Sequence, residues 1–382
     1  MIEVDDSIKS LKQECSLALA AFGLSIDENV NDAASGAVDL LVLKLDQESN
    51  VLRIRCLEEG VSKLFIVKYR SAQDKLVSFA LTAKVEKLLT SEHSVLAWTE
   101  PQGARPLIPR RKRTSSGQAF WLNDQPGKET QEKCCWSVSE YLPNGPAFNW
   151  LEEPPPWSAA HARAAGELLA KLHCAGRLAK EKLTGAEAHQ LSSLLPSLPQ
   201  LLSAALKAGQ HAYFSNEQIV AIEDALSRAV AVLATGPNAA ALAQEELIVH
   251  GDFHPGNMLF VDSAAVAAID LDFAHLEHPL YDLAYAQLMF APTTSTADRA
   301  ASLLAGYCEH FERTAQEPPS FLPTAAQVAA PSPGESEDTS LFQQYVIVAA
   351  ALILLWTLTP AGSKHPCALS LAKRMARLIS PH

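Results

Sequence analysis

None of the seven cysteines (Cys15, Cys56, Cys134, Cys135, Cys174, Cys308, Cys367) stands in a CxxC pair, and an odd set does not build a disulfide framework. They read as reduced, mostly packing thiols. Basic charge is also scarce, with 31 Lys and Arg against 43 Asp and Glu and a formal net charge of −12. A field of that sign repels phosphate backbones unless a local patch overrides it, so no nucleic-acid partner is expected, while a cationic substrate is compatible. Long hydrophobic runs are missing. The longest, Tyr345 to Leu358, has 14 residues, short of the roughly 20 that cross a bilayer, and no membrane partner is expected. The opening MIEVDDSIKS lacks the basic start and apolar run of a secretory signal and the Arg/Ser bias of a transit peptide, so the cytoplasm is the expected compartment. No repeat is visible at a period of 20–50 residues.

What is present is a balanced globular composition: 382 residues, 48% hydrophobic and 19% charged, with 17 Gly and 23 Pro. That length suggests two domains or one enzyme with two lobes. Residues 8–22 carry apolar positions at helical spacing. The runs Val38 to Lys44, Val51 to Cys56 and Lys63 to Tyr69 are then rich in Val, Ile and Leu between polar turns, which predicts a strand meander. From Ala72 to Thr90 the period returns to that of a helix, with Phe79, Ala83 and the acid Glu86 on one face. A polar section follows at about 100–133, holding Arg110-Arg111-Lys112-Arg113; it reads as a solvated insertion loop, with docking or modification as the alternative. Trp136 to Leu142 reads as a strand, and the Pro-rich segment 143–157 as hinge and linker. Residues 1–142 thus form one lobe and 158–382 a second, helical one. Helices are expected at about 158–175, 189–206, 216–234, 280–291, 297–314, 339–358 and 366–379. Short β-type runs interrupt them at Leu247 to Val249, Met258 to Val261 and Val266 to Ile269.

Chemistry concentrates in HGDFHPGN, His250 to Asn257, between two apolar strands. Asp252 and Asn257, five apart on one loop, can face one small volume. Thirteen residues after Asn257, Asp270 ends the apolar run VAAI. Asp–x4–Asn followed by an Asp at the end of the next strand is what phosphoryl transfer needs: a carboxylate to accept a hydroxyl proton, then an amide and a carboxylate to hold Mg²⁺ against ATP.

Protein kinases carry H-R-D-L-x-x-x-N and then D-F-G; here Gly251 replaces Arg, and Asp270-Leu271-Asp272 replaces D-F-G. The chain resembles the aminoglycoside phosphotransferase and choline kinase superfamily, small-molecule relatives of protein kinases. Its motif pair HGDxHPGN and IDxDxA is matched by His250 to Asn257 and by Ile269 to Ala274, and HPLYDLAYA (His278 to Ala286) is similar to its following P-x-x-D-L-A. The resemblance implies an α+β, protein-kinase-like fold in two lobes: a small antiparallel sheet with one key helix, then a larger helical lobe. It implies Asp252 as the catalytic base, Asn257 and Asp270 as Mg²⁺ ligands, and ATP as donor. It also implies a strand lysine for the α/β-phosphates, which LFIVKYR supplies as Lys68, held by Glu86; Lys63 and Glu92 are the fallback pair. Backbone groups near Glu140, Tyr141 and Leu142 would meet the adenine edge. His250 and Asp282 are expected to support the loop, His250 by bonding backbone and Asp282 by bracing His250 to Asp252. His173 is expected only to cap or pack, and Asp272 is as readily solvated as metal-bound.

The departure lies in the turn between the first two strands. It should be glycine-rich so that backbone N–H groups approach phosphate closely, yet no Gly lies between Leu45 and Ile54, leaving Ser49 and Asn50 as donors. The sequence therefore supports an ATP- and Mg²⁺-dependent kinase of a small-molecule hydroxyl, with the acceptor (sugar, aminoglycoside, amino alcohol or amino-acid-like) open. The alternative is a catalytically weak or inactive kinase-like nucleotide-binding or interaction module. A metallophosphoesterase would need further Asn-His-Asp and Gly-His-x-His clusters that are absent. His254, His275 and His278 lack the closed ligation of a zinc site.

Overall fold

The structure is a computed structural model. It describes residues 15–26, 40–45, 50–59, 61–71, 81–89, 109, 111–116, 118, 121–122, 134–141, 156–208, 213–291, 297–320, 322–324, 340–359, 362–364 and 367–380. The chain divides into two units, residues 1–90 with 108–143 and residues 91–107 with 144–382.

The first unit opens with helix α1 (15–21) and is built on an antiparallel sheet. Its strands are β1 (Ser25–Ile26), β2 (Leu40–Leu45), β3 (Asn50–Glu58), β4 (Val61–Ser71), β5 (Trp121–Leu122) and β6 (Cys134–Glu140). The order is β1-β3-β4-β6-β5, with β2 also on β3. Side chains alternate across each strand, so Ile54 and Cys56, Phe65 and Val67, and Trp136 and Val138 share one face. There they form a buried core with Cys15, Ala18, Leu19, Phe22 and Leu24 from α1 and the turn after it. Burial pushes the Cys15 thiol up to about 12, leaving it a packing group without nucleophilic character.

The other face is mixed, with Leu64 and Ile66 alongside Lys68, Ser137 and Ser139. Lys68 pairs with Ser137 across β4 and β6, and Arg111 forms an isolated bridge with Ser139 on the far side of β6. Paired residues point the same way, so both cations lie on the face opposite α1. Lys63 pairs with Cys56 on the α1 face, near the β3–β4 turn, where its ammonium sits 2.8 Å from Glu58. Helix α2 (81–89) carries buried Thr82, Ala83, Val85 and Leu89. Residues 72–80 of the predicted helix lie outside the described residues.

The basic run differs from the solvated loop expected for it. Lys112 N–H donates to Val138 C=O at 2.7 Å and Ser115 N–H to Ala21 C=O at 2.9 Å, so 111–115 runs along β6 and reaches α1. The Lys112 ammonium bonds Glu58 and lies 5.6 Å from the Phe65 ring centre. Partly buried acids draw these cations inward, a pairing that a charge run read alone does not reveal.

The second unit begins with α3 (Ala159–Lys180), α4 (Gly185–Gln190), α5 (Leu198–Lys207), α6 (Asn216–Thr235) and α7 (Ala239–Gln244). Then come β7 (Leu247–Val249), β8 (Met258–Val261), β9 (Ala264–Ala268) and β10 (His275–Glu277). The chain ends with α8 (Leu280–Phe290), α9 (Ala297–Thr314), α10 (Leu341–Thr357) and α11 (Ala368–Ile379). The single helix predicted over 189–206 is broken into α4, a 3₁₀ turn at Leu195–Ser197 and α5, because Pro196 and Pro199 lack the N–H that would continue one helix through them. The β10 strand was not predicted; three residues carry no period, and pairing with β7 supplies their backbone partners. The apolar stretch 345–358 forms the largely buried C-terminal part of α10 and its cap residue Leu358. Among the described residues no helix is long and apolar enough to cross a membrane.

Helices α3 and α9 pack closely through two glycines facing each other's backbone. A Cβ on Gly166 would stand 1.9 Å from the Leu303 carbonyl oxygen, and one on Gly306 1.9 Å from that of Arg163. Neither contact can be relieved by turning a side chain. Gly166→Ala should therefore cost at least about 2 kcal/mol and lower the thermal midpoint by several degrees. Gly185→Ala, where nothing lies within 4 Å, should be neutral or slightly stabilising in the same melt.

Candidate active site

The loop 250–257 is fixed at both ends by short strands. Strand β7 feeds it, and the β8–β9 hairpin leads on to Asp270 and a 3₁₀ turn at Leu271–Phe273. Strand β10 then returns antiparallel to β7, with His275 opposite Val249. The motif segments 250–257 and 269–274 are thus folded against each other. Ile269 N–H donates to Asn257 C=O at 2.9 Å, and His250 Nε2 lies 2.9 Å from Ile269 C=O. Since His250 Nδ1 accepts from Asp252 N–H at 3.3 Å, Nε2 carries the proton and donates. Burial holds its pKa below the usual range despite the Asp282 and Asp252 carboxylates, consistent with a neutral ring.

Gly251 shows why this loop carries Gly where protein kinases carry Arg. Its φ is +84°, and a Cβ there would stand 2.0 Å from the Phe273 carbonyl oxygen. The backbone of the first motif touches that of the second at this point. Asp270 also has a left-handed backbone, φ 65° and ψ 61°, an uncommon conformation outside glycine that aspartate tolerates better than most residues.

Asp282 of α8 is fully buried and grips the loop. His250 N–H donates to its Oδ2 at 2.7 Å, Gly251 N–H to its Oδ1 at 3.0 Å, and His173 Nε2 lies 3.2 Å from Oδ2. Burial opposes its charge, but the bond to His173, the nearby imidazoles and the His250 N–H outweigh it and lower its pKa. His173 is more than the packing group expected. Its Nδ1 meets the Tyr307 hydroxyl at 2.8 Å, so α3, α8 and α9 are joined through one buried chain of hydrogen bonds. The sequence does not reveal that role, since its partners Asp282 and Tyr307 lie more than 100 residues away.

Asp252 is held at both oxygens. Asn257 Nδ2 donates to Oδ2 at 2.9 Å and to the Asp252 carbonyl at 3.0 Å, and the Tyr285 hydroxyl donates to Oδ1 at 2.6 Å. His254 Nε2 lies 3.5 Å from Oδ2. Burial works against the charge, but His254, the Tyr285 phenol and His250 overcome it and bring the pKa down to about 2. With Nδ2 committed to Asp252, the Asn257 carbonyl oxygen is the atom left for a cation. One amide oxygen and the Asp270 carboxylate suit Mg²⁺, which takes few protein ligands and completes its shell with phosphate oxygens and water.

In the first unit Glu86 receives a two-point ion pair from Arg111, Nε to Oε2 at 2.6 Å and Nη2 to Oε1 at 2.7 Å. Lys68 is half-buried on the same sheet face. Glu140 ends β6 opposite Phe65, and Tyr141 N–H donates to Leu64 C=O at 3.2 Å. Asn50 opens β3 opposite Tyr69. Ser49, Leu142 and Glu92 lie outside the described residues.

A profile of the phosphotransferase enzyme family matches residues 53–317, covering both motifs. The chain belongs to that family. Among solved structures, aminoglycoside phosphotransferase APH(4)-Ia shares 14% identity over 89% of this chain and 93% of its own, with a TM-score of 0.50. The macrolide 2'-phosphotransferase MphH from Brachybacterium faecium shares 15% over 95% of each chain, with a TM-score of 0.49. At such identities the likeness to APH(4)-Ia shows the fold alone, which is α+β and protein-kinase-like. Among curated protein sequences none matches.

Beside the site, His278 is buried with its ring stacked on Tyr345 and its Nε2 3.6 Å from Glu245. Desolvation, opposed by Glu245, lowers its pKa to about 4. The native state then binds fewer protons than the unfolded one between pH 4 and the unfolded histidine value near 6.5, so stability falls as pH drops through that window. The thermal midpoint of the wild type should decline from pH 7 to 5, and His278→Gln should flatten that decline, as read by calorimetry across pH.

Proposed function

We propose that this phosphotransferase moves the γ-phosphoryl group of ATP to a hydroxyl of a small molecule, with Mg²⁺ as the metal. The observation that carries the reading is the pairing of Asp252 with Asn257, with Asp270 directly following the Ile269–Asn257 hydrogen bond. In this reading Asp252 accepts a hydrogen bond from the acceptor hydroxyl, turns its oxygen toward phosphorus and takes the proton as the new P–O bond forms and the bond from the γ-phosphorus to the bridging oxygen breaks, releasing ADP. Asn257 Oδ1 and Asp270 would hold Mg²⁺, which when bound supplies charge neutralisation at the phosphate oxygens. Lys68 would meet the α/β-phosphates as a point charge, with Glu86 keeping it aimed and Arg111 holding Glu86 in turn. Asn50 and Ser49 would offer donors in the glycine-poor turn, and backbone at Glu140, Tyr141 and Leu142 would meet the adenine. His250 and Asp282 would act only through the shape of the loop.

The test is ATP turnover with and without Mg²⁺ across hydroxyl-bearing metabolites. Asp252→Asn should lower kcat by about 10²-fold or more while ATP binding survives, and Asp270→Ala should remove the Mg²⁺ dependence in a folded protein. Lys68→Met should raise the KM for ATP and cut kcat. Lys63→Met, whose side chain points to the other face of the sheet, should do neither. If the wild type turns over no ATP with Mg²⁺ and any of these metabolites, the interaction-module reading replaces this one; normal turnover in all these variants would remove the assigned residues from the site.

A further inference from the structure

Helix α8 addresses three consecutive loop residues from one side. Tyr281 hydroxyl donates to Gly251 C=O at 3.2 Å, Asp282 takes the N–H groups of His250 and Gly251, and Tyr285 donates to the Asp252 side chain. Positions 281, 282 and 285 lie on one helical face, being four and three apart. The first two contacts shape backbone. The third is different, because its partner is the carboxylate assigned the chemistry.

A carboxylate held at one oxygen still turns about χ2, which is a broad, roughly two-fold torsion. Asp252 is held at Oδ2 by Asn257 from its own loop and at Oδ1 by Tyr285 from a separate helix, so the plane of the group is set by two elements. Oδ2 is shared by Asn257 and, at 3.5 Å, His254, whereas Oδ1 meets Tyr285 and has a second lone pair for an incoming hydroxyl. We infer that Tyr285 is a positioning residue for phosphoryl transfer, fixing through its 2.6 Å hydrogen bond the lone pair that Asp252 turns toward the acceptor hydroxyl. The inference rests on the reading of Asp252 given above. Tyr285 is suited to it: its ring stacks with Tyr281 at 6.4 Å between centres and 20° between planes, which limits its own motion. Burial and the neighbouring Asp252 charge also push its pKa well above the usual phenol value, so it remains a donor throughout the working pH range. Misplacing a reacting group by about 1 Å can cost 10²-fold in rate, so a lost orienting bond has room to matter.

Tyr285→Phe removes one oxygen and keeps the ring. It should lower kcat by about 10- to 100-fold, measured with the best acceptor or, lacking one, as Mg²⁺-ATP hydrolysis by water. The KM for ATP should stay within about twofold, and the thermal midpoint close to that of Tyr281→Phe. In an Asp252→Asn background the same change should add no further loss, because the group it orients as a base is already gone. A readout free of activity is the carboxyl ¹³C resonance of Asp252, assigned by its disappearance in Asp252→Asn, which should move in Tyr285→Phe. An unmoved resonance overturns the inference, as does an unchanged kcat in Tyr285→Phe when Asp252→Asn is impaired. Additive losses in the double variant overturn it too. A wild type that turns over no ATP would remove the reaction and the positioning role with it, yet leave the resonance shift in place, which separates that failure from loss of the hydrogen bond itself.

Discussion

The buried carboxylate of Asp282 is the constraint on which the rest of the site depends. A charge with no solvent exposure must be met by hydrogen bonds, and three donors surround it: two consecutive loop N–H groups and the His173 ring. Two adjacent N–H groups can converge on one carboxylate only if the backbone between them turns sharply, which the positive φ of Gly251 allows. That turn aims the next side chain, Asp252, away from the strand axis and toward Asn257 and Tyr285. Because Asp282 is itself tied through His173 to Tyr307, the loop takes its shape from α3, α8 and α9 together. The close crossing of α3 and α9 at Gly166 and Gly306 is part of the same arrangement.

Much of this was legible in the sequence, for a physical reason. The residues of HGDFHPGN and IDLDFA are near neighbours in the chain, and short strands with a tight hairpin leave little freedom in how they meet. Spacing therefore carried the local geometry. Apart from Asp282, the partners from distant helices were not legible. His173, Tyr285 and Tyr307 sit in amphipathic or apolar helices, where a polar side chain among alanines and leucines looks the same whether it bonds a carboxylate or packs beside one. One signal was available for Tyr285: it follows Asp282 by three residues, so any helix that presents Asp282 to the loop presents Tyr285 as well.

The first unit teaches the same lesson with charges. Alternation in β4 separates Lys63 from Lys68, and the register sends them to opposite faces. What alternation does not show is the Arg111 side chain reaching Glu86 across a long stretch of sequence. A guanidinium with two parallel bonds to a carboxylate is more directional than an ammonium, so Arg111 is suited to hold the α2 carboxylate still. On the proposed reading, a fixed side-chain frame of this kind complements a phosphate turn that lacks glycine.

The low proton affinity of Asp252 also fits the proposed chemistry. A carboxylate with a pKa of about 2 is a weak base, unsuited to removing a proton from an alcohol before bond formation. In phosphoryl transfer by a loose transition state the nucleophile needs little activation; its proton becomes acidic only late, as the bond to phosphorus forms. Orientation then matters more than basicity, and His254 and Tyr285, which both contact the Asp252 carboxylate, also weaken it as a base. A site organised around strong proton abstraction would leave its carboxylate poorly hydrogen-bonded, with its pKa raised toward neutrality. The two donors on Asp252, one from its own loop and one from α8, favour the oriented, weakly basic carboxylate that phosphoryl transfer uses.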